Sequence, residues 1–251
     1  MKTLYKILLA GIMMISCVAC SNDKKDEVTW EEQLIDSNQL VVGISPDYPP
    51  YESIVDGEMV GFDLDMAEEL GKILGVEIVY EQMSFENIID AVNLGQVDVG
   101  IAGFSYDPTR QVLFTEHYLK TAQVVMTKTD FEIDSVDDLV GKTVATQLGG
   151  TGASALEEIE GVNVELNKDA KYLVEMLKAN QVDAVVMDIL AAENYAKNDS
   201  SLIILDEPLK EEENVIITSM NNEYLLEKLN EAITKFKESD KYSELKNKWG
   251  M

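Results

Sequence analysis

The line Ile88-Ile89-Asp90-Ala91-Val92-Asn93-Leu94-Gly95-Gln96-Val97-Asp98-Val99 returns later in the chain as Leu173-Val174-Glu175-Met176-Leu177-Lys178-Ala179-Asn180-Gln181-Val182-Asp183-Ala184. Both copies read as an amphipathic helix, a tight turn, the tripeptide Gln-Val-Asp and a buried strand. Such a repeat predicts two similar lobes. Around the first copy, Leu40 to Ile44 is a buried strand by length and β-branching. Phe62, Met66, Leu70, Ile73 and Leu74 recur at helical spacing, with Asp63, Glu68, Glu69 and Lys72 on the outer face. Val76 to Tyr80 follows as a strand, and Ser84 caps a helix carrying Phe85, Ile88, Ile89 and Val92. Around the second copy, the strand Thr143 to Thr146 runs into Gln147-Leu148-Gly149-Gly150-Thr151-Gly152-Ala153-Ser154, which opens a helix. This alternation is an α/β grammar, with a mostly parallel sheet flanked by helices in each lobe.

Each copy ends in a singular group at the carboxyl end of a strand, where α/β sheets take small ligands. In the first, Gly103-Phe104-Ser105-Tyr106-Asp107-Pro108-Thr109-Arg110 reaches the only arginine, the other 19 of the 20 basic residues being lysine. Arginine's planar fork grips a carboxylate through two parallel hydrogen bonds, which an ammonium cannot do. The alternative is a surface arginine in a weak ion pair. Asp107-Pro108 reads as a helix start, with Asp as N-cap and Pro at the first helical position. In the second copy, Asp188 follows the strand Ala184 to Met187, either as an N-cap for Ile189 to Lys197 or as an acceptor for an ammonium. Gly149 to Gly152, with the Thr151 hydroxyl, offers backbone N–H groups to an anion, or is simply a loop. Three prolines between Ser45 and Glu52 forbid helix and central strand, leaving a rigid loop that presents Tyr48 and Tyr51. Tyr48 and Phe85 would supply apolar walls. A carboxylate pocket beside an ammonium pocket is what a free α-amino acid requires.

The N-terminus addresses the compartment. Lys2 and Lys6 precede an apolar run, Ile7 to Val18, that ends at Ala19-Cys20-Ser21. A charged start, an apolar run too short to span a bilayer well and small residues at the cut describe a secretory signal over residues 1–19. No cysteine follows residue 20, so the mature body has no disulfide and rests on its core. The formal charge of −27 becomes −29 when Lys2 and Lys6 are cut away. That acidity argues against nucleic acid and against electrostatic adhesion to anionic lipid. One histidine, His117, leaves no His/Cys metal site after the signal, and no cofactor is expected.

The chain resembles a substrate-binding lipoprotein of a polar-amino-acid ABC importer, with the similarity running from about Leu40 to Trp249. The residues that carry it are Tyr48-Pro49-Pro50-Tyr51-Glu52, Gly61-Phe62-Asp63-Leu64-Asp65, Gly103-Phe104-Ser105, Asp107-Pro108-Thr109-Arg110, Phe114-Thr115-Glu116, Gly149-Gly150-Thr151 and Asp183-Ala184-Val185-Val186-Met187-Asp188. The resemblance implies a periplasmic-binding-protein-like fold whose two lobes, residues 38–124 with 218–251 and residues 125–217, are joined by hinge strands near Ala122 to Lys128 and Asn214 to Ser219. It implies that Arg110 and Thr151, with Gly150, hold the ligand carboxylate. Asp188, the Gly103 carbonyl and the Ser105 hydroxyl would hold the ammonium, Tyr48 and Phe85 would sandwich the side chain, and Ser45 and Gln147 would face its tip. The segment around the cut resembles a lipoprotein signal, with Cys20 as the lipid-bearing residue, Cys17 as an alternative and residues 20–37 as a tether. The implied partners are a free L-amino acid, a permease in the membrane and the outer face of the bacterial cytoplasmic membrane, with the protein a monomer.

Two departures stand out. His117 replaces the family's usual proline before Tyr118, a local change of turn. Ser45 replaces an aspartate that relatives binding basic or amide side chains often carry, so the ligand is expected to be small or neutral, unless Asp47 or Glu52 substitutes. The same fold serves a few secreted dehydratases, for which Glu52 is the carboxylate to examine, and also ligand-sensing modules. Because nothing is appended after Met251, a free-standing binder is the expectation.

Overall fold

The computed structural model describes residues 29–197 and 199–251. The secretory signal, Cys17, Cys20 and most of the tether lie outside the described residues. From Trp30 onward the chain is already docked: Leu34 is buried, and Gln33 Oε1 accepts from Leu225 N at 2.8 Å. The expected tether to residue 37 is therefore shortened by its own apolar residues.

The first lobe runs β1 (Gln39–Ile44), β2 (Asp47–Tyr48), β3 (Glu52–Val55), β4 (Glu58–Val60), α1 (Phe62–Leu74), β5 (Glu77–Gln82), α2 (Phe85–Asn93), β6 (Val99–Gly100) and β7 (Leu113–Phe114). The chain then enters β8 (Leu119–Lys128), β9 (Thr143–Gln147), α3 (Thr151–Glu157), β10 (Asn163–Asn167), α4 (Ala170–Lys178), β11 (Ala184–Asp188), α5 (Ile189–Ala196), β12 (Leu202–Ile204) and β13 (Lys210–Asn214). It returns through β14 (Ile217–Thr218) to α6 (Glu223–Lys237) and α7 (Asp240–Trp249).

Each lobe holds the expected parallel trio. β1 lies between β5 and β6 in the first, and β9 between β10 and β11 in the second. The crossings between lobes add antiparallel strands: β14 and β7 in the first sheet, β8, β12 and β13 in the second. β8 pairs with second-sheet strands along its whole length, and residues 115–118 join it to β7. On the return, residues 215–216 join β13 to β14.

The repeat explains itself at atomic level. Asp98 accepts from Val41 N and Ile35 N, both at 2.8 Å, and Asp183 accepts from Thr143 N at 2.7 Å. In each lobe the aspartate thus ties the start of the sheet's central strand to the next strand over. The preceding turns match too, with left-handed backbone at Gly95 (φ 67°) and at Asn180 (φ 57°), the residue that tolerates this conformation best after glycine. Gly100 serves close approach instead: a Cβ there would stand 2.6 Å from Ile88 Cγ2, so α2 sits directly on β6.

Two expectations fail locally. Asp107-Pro108 begins a turn and no helix, because Asp107 Oδ1 is satisfied by Thr109 N and Oγ1 (2.9 and 2.7 Å) and the chain extends into β7 within a few residues. Asp63, placed on the outer face of α1 by its polarity, is fully buried. It points to the strand-end loop, where its Oδ2 accepts from Gly103 N at 2.7 Å and from the Tyr118 hydroxyl at 3.1 Å.

Candidate functional site

The residues after β6 and those ending β11 line one cavity. Tyr48, Phe85, Gly103, Ser105, Arg110, Gln147, Gly150, Thr151 and Asp188 all reach it, so nine of the ten residues singled out from sequence converge. Ser45 does not: it is buried and its hydroxyl donates to Asp47 Oδ1 at 3.0 Å. Ala102, Gln123, Thr146, Gly152, Val186 and Met187 complete the wall. Alternation along β8, β9 and β11 would have supplied Gln123, Thr146 and Val186, since one face of each strand had to point at the same seam.

Arg110 is positioned by the first lobe and already touches the second. Its Nη1 donates to Ser105 O at 3.2 Å, its Nη2 to Gly149 O at 2.8 Å, and its Nε stands 3.8 Å from Asp107 Oδ2. The guanidinium lies over Phe104, itself stacked on Phe85 at 4.5 Å. Arginine carries five N–H donors, so donors remain for a further acceptor. Burial lowers its pKa, with Asp107 and Glu212 opposing that.

Asp188 faces it as the other charged group of the wall. It ends β11 and caps α5, Oδ1 accepting from Leu190 N at 2.9 Å. The Tyr51 hydroxyl lies 3.0 Å from the same oxygen and 3.0 Å from Asn214 Oδ1, while the Thr121 hydroxyl donates to Oδ2. Burial pushes the carboxyl up to about 6, restrained by the bonds from Thr121, Leu190 and Tyr51. From the first lobe, the Tyr48 hydroxyl accepts from Asp188 N at 2.8 Å. Asn214, on the return crossing, donates from Nδ2 to Gly103 O at 3.1 Å.

Beneath this layer, Glu52 and Asp63 are both fully buried. Burial first, and then the neighbouring carboxylates, drive the Glu52 carboxyl well above its usual range, and burial raises Asp63 to about 7. Glu52 is absent from the cavity wall, which removes it as a cleft acid. Glu212 is the acid that sequence reading missed. The Thr151 hydroxyl donates to its Oε2 at 2.8 Å and Gln123 Nε2 to the same atom at 3.1 Å. In the run Glu211-Glu212-Glu213 it reads as one charge on a wet surface, yet alternation along β13 turns it inward.

The family model for bacterial extracellular solute-binding proteins, family 3, matches residues 40–251. The chain belongs to that family. Among solute-binding relatives, the arginine-binding extracellular protein ArtP of Bacillus subtilis (strain 168) is 29% identical, over 99% of this chain and 98% of the relative. A probable histidine-binding protein of Campylobacter jejuni is 31% identical, over 81% and 80%. Among solved structures, an ancestral arginine-binding protein bound to glutamine superposes with a TM-score of 0.80 at 34% identity, over 84% of this chain and 97% of that one. Among the described residues no helix is long and apolar enough to cross a membrane.

Proposed function

We propose that this chain is the amino-acid-binding component of an ABC importer and closes its two lobes around a free L-amino acid. One observation carries the reading: Arg110 and Asp188 are the two charged residues of a single cavity wall, one from each lobe. A zwitterion offers the complementary pair of charges. Arg110 takes the carboxylate, helped by the backbone N–H of Thr151, whose hydroxyl is already given to Glu212. Asp188, the Gly103 carbonyl and Ser105 take the ammonium. Tyr48 and Phe85 bound the side chain, and Gln147 reads its end.

The names of the relatives range over arginine and histidine, and one neighbour was solved with glutamine. The wall favours an uncharged side chain here. Asp47, the carboxylate best placed to substitute at Ser45, accepts instead from Ser45 and from Ala170 N at 2.9 Å, and Glu52 lies below the wall. A cationic side chain would be desolvated without a free carboxylate to receive it. The solute-binding family and relatives support transport in place of catalysis. We further read residues 1–19 as the signal and Cys20 as the lipid anchor at the outer face of the membrane, with the lobes parting at residues 115–118 and 214–217.

Thermal unfolding of the mature domain against each common L-amino acid, after unfolding and refolding to strip co-purified ligand, tests this. A ligand at about one hundred times its dissociation constant stabilises by roughly 2.7 kcal/mol. A rise with one or a few neutral polar amino acids is expected. A flat panel from well-folded protein would overturn the reading.

A further inference from the structure

Two carboxylates of the first lobe reach across to one short loop of the second, and neither belongs to the cavity wall. Asp47, the first residue of β2, accepts from the backbone N–H of Ala170, the first residue of α4, at 2.9 Å. Its other oxygen accepts from Ser45 Oγ at 3.0 Å, which fixes the carboxylate's orientation. Glu86, in the first turn of α2, takes the ammonium of Lys168 at 2.7 Å. The same end of α2 is approached by Gly149, where an added Cβ would stand 3.3 Å from Glu86 Cα. Residues 168–170 are thus gripped at two points, both of them across the seam between the lobes.

We propose that Asp47 and Glu86 are positioning residues that clasp the loop 168–170 and set how long a ligand is retained, without taking part in choosing it. The inference rests on the reading of the protein as a two-lobed carrier that closes on its ligand. A bond made only in the closed state, and to no ligand atom, shifts the open–closed balance by the same amount whatever occupies the cleft. Its loss therefore multiplies every dissociation constant by one factor and shows mainly in the dissociation rate. The two grips are unequal. The Asp47 bond is partly buried and charge-assisted, whereas the Lys168 side chain is 67% exposed and its pair is screened by solvent. Removal of the first is expected to cost about tenfold in affinity, and of the second about twofold.

The experiment measures equilibrium binding and stopped-flow dissociation of L-glutamine, L-histidine and L-arginine on the mature protein and on its Asp47→Ala, Asp47→Asn and Lys168→Ala variants. Lys168→Ala alters only a surface side chain and so keeps the test available if Asp47→Ala folds poorly. Faster dissociation by one common factor for every amino acid that binds, with Asp47→Asn between wild type and Asp47→Ala, supports the clasp. Unchanged rates overturn it, and so does a loss confined to one amino acid, which would make Asp47 a reader of the side chain. If none of the three binds the wild type, the carrier reading fails for these ligands while the clasp is still tested by X-ray scattering. The bonds involve no ligand atom, so in stripped protein that scattering shows to be partly shut, Asp47→Ala/Lys168→Ala should have the larger radius of gyration, and identical profiles there overturn the clasp. Stripped protein that is fully open moves the test to the dissociation rate of the amino acid found by the thermal panel, which unchanged by the variants overturns it.

Discussion

The two lobes agree up to the ends of their strands and part company immediately beyond. Asp98 and Asp183 do the same work, each binding a backbone N–H in the first half of the neighbouring strand, after turns of the same hand at Gly95 and Asn180. Past β6 the first lobe makes a turn that presents Arg110; past β11 the second caps a helix with Asp188. What repeats is scaffold, and what differs is chemistry. On the function proposed above, opposite charges at equivalent strand ends are what fit a pair of similar lobes to an unequal-ended ligand.

The sharpest way to break that comparison is at Arg110. Arg110→Ala removes charge and fork together, and Arg110→Lys keeps the charge alone. Affinity for the ligand found by the thermal panel should fall at least tenfold in both, since one hydrogen bond to a charged group is worth about 1.5–3 kcal/mol. Calorimetric titration reads the result, and full-strength binding by either variant would remove Arg110 from the site. Asp188→Asn comes next. Asparagine caps helices about as well as aspartate, so α5 should survive while the ammonium loses its counter-charge. A drop of about tenfold in affinity with a nearly unchanged melting temperature is expected; a large fall in melting temperature would make Asp188 a structural cap above all.

The repeated positions should give the opposite pattern. Asp98→Ala and Asp183→Ala each leave backbone N–H groups without their acceptor at a strand start, at a cost of about 1–3 kcal/mol apiece. Denaturant unfolding should show both losses, larger for Asp98, which holds two N–H groups against the one bound by Asp183. Affinity measured well below the melting transition should hardly move. A variant at either position that abolished binding while keeping its stability would erase the division between scaffold and site.

Much of this was legible beforehand because the signals were local. Periodicity located the parallel trios, and the singular arginine and the strand-end aspartate marked the cavity. What escaped depends on long-range geometry. Asp63 looked solvated because helical spacing says which residues share a face, whereas a carboxylate can be buried when a distant loop offers Gly103 N. Glu212 was hidden among three glutamates, and its inward turn is set by the pairing of β13 with β8. Ser45 adjoined the site in sequence yet lies off the cavity wall, its hydroxyl given to Asp47 two residues on.

The smallest effect expected is also the most discriminating, because affinity and stability should respond to pH in opposite directions. Burial raises Asp188 from its usual 3.8 to about 6 and Asp63 to about 7. Below those values the folded protein holds protons that the unfolded chain gives up only near pH 4. Unfolding therefore releases protons in this window, and these groups make stability fall as pH rises from about 4 to 7. A ligand ammonium, by contrast, needs Asp188 ionised. At pH 6 about half the sites carry the proton, so the dissociation constant should be about twice its value at pH 7.5. Titration calorimetry in buffers of different ionisation enthalpy should register proton release on binding near pH 6, and Asp188→Asn should abolish the part due to this group. If the wild type bound more tightly at pH 6 than at pH 7.5, the ammonium would have to be held by neutral acceptors alone, and the charge asymmetry between the two strand ends would lose half of its meaning.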